Sequence, residues 1–154
     1  MSAILQFTSV DEIETIVHKF ENCEYSPQEF THTHHLTVAA WYLQTAPPDQ
    51  ALARMRRSLQ RFTTHHHVRG YHETITRFWI EIVSTAIAPE SGVSAVESIN
   101  RLLVRHSRKD EIFDYYSRER VLSDAAREVW FQPDLQPLPR LAAPAMLRAN
   151  VSRK

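Results

Sequence analysis

Glycine is almost absent from this chain: Gly70 and Gly92 are the only two in 154 residues. Tight hairpin turns need residues at positive φ, a role glycine fills most often, so a chain this poor in glycine is ill suited to a hairpin-rich β fold. Its apolar residues instead recur every three or four positions, the period of a helix buried along one face. The expectation is an all-α protein: an up-and-down four-helix core with additional short C-terminal helices and an extended Pro-rich arm.

Punctuation places the helices. Ser9 and Glu12 form a capping box, and Val10, Ile13, Val17 and Phe20 carry the first helix to about residue 22. Ser26 and Glu29 repeat the signal with Pro27 at the first helical position, opening a second helix that Pro47 and Pro48 end. Its apolarity is broad (Leu36, Val38, Ala39, Ala40, Trp41, Tyr42, Leu43), which predicts cover on most sides. A third helix begins at Asp49, buries Ala51, Leu52, Met55, Leu59 and Phe62, and stops at Gly70. The fourth buries Ile75, Phe78, Trp79, Ile82, Val83 and Ala86, with Pro89 and Gly92 closing it. Ser94 and Glu97 open a fifth, and shorter pieces follow at 110–117 and 123–130. Pro133, Pro137, Pro139 and Pro144 then forbid a regular helix. The division expected is a helical bundle over 1–131 and an extended arm over 132–154.

Composition excludes several roles. Eighteen basic residues balance eighteen acidic ones, leaving no electrostatic footprint for nucleic acid or an anionic membrane. Cys23 is the single cysteine, so internal disulfides and four-cysteine zinc motifs are impossible. No apolar run reaches the length of about 20 residues that spans a bilayer, and no signal segment opens the chain. A cytoplasmic location is expected.

The unusual feature is nine histidines. Extending the second-helix stripe backwards places His32 and His35 on the buried face, and extending the fourth places His72 on the core side. Short connections favour antiparallel neighbours, so helices two and four run parallel and their first turns share one end of the bundle. Three imidazoles meeting there suit a divalent metal, with zinc, iron and copper not distinguished. Three protein ligands and one open position form a catalytic pattern, in which bound water becomes a nucleophile. Glu73 is the candidate fourth ligand or general base, and His106 a further ligand candidate. His65, His66 and His67 read as a solvated helix terminus, and Ser117 with Arg118 and Arg120 as exposed charge rather than an anion site.

The segments Phe30-Thr31-His32-Thr33-His34-His35-Leu36, Tyr71-His72-Glu73-Thr74-Ile75-Thr76 and Pro133-Asp134-Leu135-Gln136-Pro137-Leu138-Pro139 resemble those of a group of small bacterial helical proteins of unassigned function. The shared words are F-x-H-x-x-H-L, Y-H-E-T-I-T and P-D-L-x-P-L-P, spanning about Phe30 to Pro139. The resemblance implies no reaction. It does imply that His32, His35, His72 and Glu73 belong to one motif set.

The leading expectation is therefore a metal-binding bundle, with hydrolysis or oxygen-dependent oxidation of a small-molecule substrate as the chemistry expected at His32, His35 and His72. The competing expectation is a non-enzymatic interaction or regulatory bundle, open to homodimer formation. Its signature is each of those histidines hydrogen-bonded to a backbone carbonyl or a hydroxyl. A third is a binding module walled by Trp41, Trp79 and Tyr42.

Overall fold

A computed structural model of the chain describes residues 5–87 and 91–139. The helices among them are α1 (Val10–Glu21), α2 (His32–Thr45), α3 (Pro48–His65), α4 (Glu73–Ala86), α5 (Ala95–Arg105), a 3-10 helix (Lys109–Asp114), α6 (Arg118–Val121) and α7 (Asp124–Glu128). No strand occurs among the described residues, and the protein is all-α.

α2 occupies the middle, packed against α1, α3, α4 and α5. That position accounts for its broad apolarity: Leu36, Val38, Ala39, Ala40 and Tyr42 are all buried, leaving no solvated stripe of any width. Trp41 and Trp79 pack against the same core, so with Tyr42 they fill the interior rather than wall a cavity. α4 is buried on more than the one stripe expected. Ile80 and Val83 face the main core, whereas Phe78 and Ile82 join Ile112, Tyr116 and Val121 in a second one. α4 is thus a partition between two apolar clusters.

The α1–α2 connection departs from expectation. The Ser26–Glu29 box does form, Ser26 N–H donating to Glu29 Oε1 (2.8 Å) and Glu29 N–H to Ser26 Oγ (3.2 Å). It closes only one turn, and the helix starts afresh at His32 with Thr31 as N-cap. The end of α3 also differs. Gly70 is not the terminator; His67 is, in the left-handed region at φ 54°, with Val68 N–H donating to Thr63 O (3.1 Å). Cys23 ends α1 in the same way at φ 58°. Pro89 and Pro144 lie outside the described residues.

Residues 129–139 are laid along the bundle as a strap. The buried Thr74 hydroxyl donates to Val129 O (2.9 Å) and accepts from Phe131 N–H (3.1 Å). Tyr116 Oη donates to Phe131 O (2.6 Å) and Arg120 Nε to Gln132 O (2.6 Å). Asp134 then takes both the N–H (2.7 Å) and the hydroxyl (2.6 Å) of Ser117. The anion at Ser117 is therefore internal to the chain.

A second polar tie joins α1, α2 and α3. The fully buried Tyr42 donates its hydroxyl to the Glu21 carboxylate and lies 3.0 Å from Ser58 Oγ. Arg54 clamps Glu21 through Nε (3.0 Å) and Nη2 (2.8 Å) while its guanidinium covers the Tyr42 ring. Nothing in the periodicity marks these four residues as partners.

Candidate functional site

The first turn of α2 carries three histidines with three different tasks. His34, at the third helical position, accepts the Thr31 N–H on Nδ1 (3.2 Å) and lies 2.8 Å from the Thr31 hydroxyl. It does what a glutamate does in an ordinary capping box. His35 packs on Phe30, ring centroids 4.3 Å apart, and its Nδ1 donates to Thr31 O (3.0 Å). Burial drives its pKa down to about 4, because a charged ring there loses its hydration. His32 lies edge-on to Trp79 at 4.7 Å, and its Nε2 donates to the carbonyl of His106, the C-cap of α5 (2.9 Å). Burial lowers this imidazole also, and the carbonyl bond pulls it partly back. His106 itself turns Nδ1 toward the Glu111 carboxylate, at 2.9 and 3.1 Å.

His72 is the N-cap of α4. Its Nδ1 accepts the Ile75 N–H (3.1 Å), so the ring proton sits on Nε2, which donates to Val121 O (2.9 Å). Both nitrogens are spent, and no lone pair is left for a metal. Burial holds the ring below the ordinary imidazole range, with Arg127 and Arg69 lowering it further against the pull of the Val121 carbonyl.

The structure does not join His72 to His32 and His35 as a ligand set. Among the described residues no group of three or more His, Cys, Asp or Glu side chains is placed to hold a metal ion. The reason is axial offset. His32 packs against Trp79, seven residues along α4 from His72, which is about 10 Å of helical rise. Stripe arithmetic gives the side of a helix on which a residue falls but cannot supply the height of one helix against the other.

Glu73 is held, not poised. Arg56 donates to it through Nε (3.0 Å) and Nη2 (2.8 Å), and Tyr71 Oη donates at 2.9 Å. Burial raises this carboxyl, but the bonds from Arg56 and Tyr71 outweigh it and leave the pKa below the usual range. A general base works best with a pKa near the working pH, so this ion-paired carboxylate is a structural anchor.

Around that anchor lies a cleft of about 750 Å³, bordered by Arg56, Tyr71, Glu73, Arg127, Glu128 and Trp130. It brings together α3, the segment entering α4, and the end of α7. Tyr71 stands out in sequence only as the first residue of the segment that also carries His72 and Glu73. Arg56 reads in sequence as one of several outward arginines on α3, and Arg127 lies far away along the chain, so no spacing signal connects them. Searches of protein-family models, curated proteins and solved structures found nothing that matches the chain.

Proposed function

We propose that this chain is a non-enzymatic interaction or regulatory helical bundle whose histidines fasten one element to another. The observation that carries this reading is His72, which caps α4 with one ring nitrogen and grips Val121 with the other. His32 and His35 fit the same description, each giving a ring N–H to a backbone carbonyl. A buried imidazole left without such a partner costs about 1–3 kcal/mol, so these bonds are reason enough for histidine at all three positions. No helix among the described residues is long and apolar enough to cross a membrane.

The test is elemental analysis of untagged protein beside thermal unfolding. Metal content well below one ion per chain is expected, unchanged in His32→Ala and His72→Ala. His72→Ala should lose about 1–2 kcal/mol of stability, and His72→Asn should regain the cap but not the link to Val121. One bound ion per chain that disappears in His32→Ala and His72→Ala would overturn this reading and restore the three-histidine metalloenzyme.

A further inference from the structure

We propose that His72 is an acid-operated latch: on taking up a proton it opens the joint between α4 and the α6–α7 segment while the main core stays folded. The latch rests on the reading of His72 as a fastener and adds the condition that unfastens it.

The joint depends on one charge state of one ring. Neutral His72 accepts the Ile75 N–H on Nδ1 (3.1 Å) and donates from Nε2 to Val121 O (2.9 Å). An imidazolium has two N–H donors and no acceptor. Its Nδ1–H would meet the Ile75 N–H donor to donor, so the charged ring cannot keep both bonds. Either the first turn of α4 loses its cap, or the ring turns and releases Val121. His32 and His35 differ: each only donates, to His106 O and Thr31 O, and keeps that bond when its other nitrogen is protonated. His34 also accepts an N–H, but from Thr31 within its own turn.

The charges facing His72 oppose the proton. Burial is the largest influence, and Arg127 from α7 and Arg69 from the segment entering α4 act in the same direction. The positive end of the α4 dipole adds to them. α6 supplies the Val121 carbonyl, which pulls the other way without prevailing. The acidic groups of these elements are engaged or solvated. Asp124 pairs with Arg69 (3.4 Å) and Glu73 with Arg56 of α3 (2.8 Å), while Glu119 and Glu128 are exposed and screened by solvent. The closed joint therefore holds the ring below its ordinary range. Its stability is present above about pH 6.5 and is lost as the pH falls below that.

The division of the interior lets this joint open by itself. Val121 is fully buried, in the second core with Phe78, Ile82, Ile112 and Tyr116. α1, α2, α3 and α5 place their buried residues in the main core. Loosening α6 and α7 thus uncovers one side of α4 and leaves the other packed.

Native-state hydrogen exchange of the full chain, followed by NMR and corrected for intrinsic rates at each pH, tests the latch. The amides of Val121 and Leu122, bonded to Ser117 O and Arg118 O, should be less protected than those of Ala39 and Ala40 in α2. Their protection should fall severalfold from about pH 7.5 to about pH 5. His72→Asn keeps a cap but takes up no proton, so Val121 and Leu122 should show no such fall in it. In the native chain His72 should titrate below the exposed His67. Protection of Val121 equal to that of Ala39, a value constant with pH, an undiminished fall in folded His72→Asn, or a His72 midpoint at or above that of His67 would each overturn the latch. Loss of stability in His72→Ala without the pH-dependent exchange would leave the fastener standing and remove the latch alone.

Discussion

His67 shows most directly how a single residue carries a local cost. It stands at φ 54°, where a side chain with a Cβ is disfavoured by about 1–2 kcal/mol, and it is exposed, so no burial offsets that cost. Glycine removes the steric cost but adds freedom to the unfolded chain. The net gain expected for His67→Gly is about 0.5–1 kcal/mol, seen as a rise of roughly 1–3 °C in the thermal midpoint. An unchanged or lower midpoint would mean that the imidazole makes a contribution its exposure conceals. The three consecutive histidines therefore have separate roles: His65 ends α3, His66 is its C-cap against Phe62, and His67 makes the left-handed turn.

Among the elements, the strap is the one whose sequence most understates its attachment. Its prolines forbid a helix, yet bonds to Thr74, Tyr116, Arg120 and Ser117 tie it down at Phe131, Gln132 and Asp134, and Leu138 packs on the second core. Asp134 is the densest point of that attachment, engaging the N–H and hydroxyl of one residue. Asp134→Ala should free the strap without unfolding the bundle. Limited chymotrypsin digestion should then cut between Phe131 and Leu138 severalfold faster than in the native chain, with the helical circular dichroism spectrum unchanged. Equal cleavage rates would show that Tyr116 and Thr74 hold the strap unaided.

At the scale of the whole molecule, the half-buried histidines make stability depend on acid. In the unfolded chain His32, His35 and His72 take up protons near pH 6.5, whereas folding holds all three lower, His35 to about 4. Between those values the unfolded state binds more protons. Stability present above about pH 6.5 is therefore lost as the pH falls toward 4. For His35 the shift corresponds to roughly 3 kcal/mol. Urea midpoints taken from pH 7 to 4 should fall steadily, and His35→Gln should flatten the curve. A midpoint that stays constant across that interval would refute the assignment of these rings as neutral in the folded protein.

The order of residues along the chain by itself determined the helical class, most of the helix limits and the buried stripes, because periodicity and capping are local and leave marks within a few positions. It also placed His32, His35, His72 and Glu73 at helix beginnings, where the structure has them. Tertiary structure decided what those residues do. Whether His72 meets a metal or a carbonyl depends on how far α4 slides past α2 and on where α6 arrives. Whether Glu73 is free depends on Arg56 reaching it from α3. Such offsets come from packing summed over many side chains, and no short stretch of sequence encodes that sum.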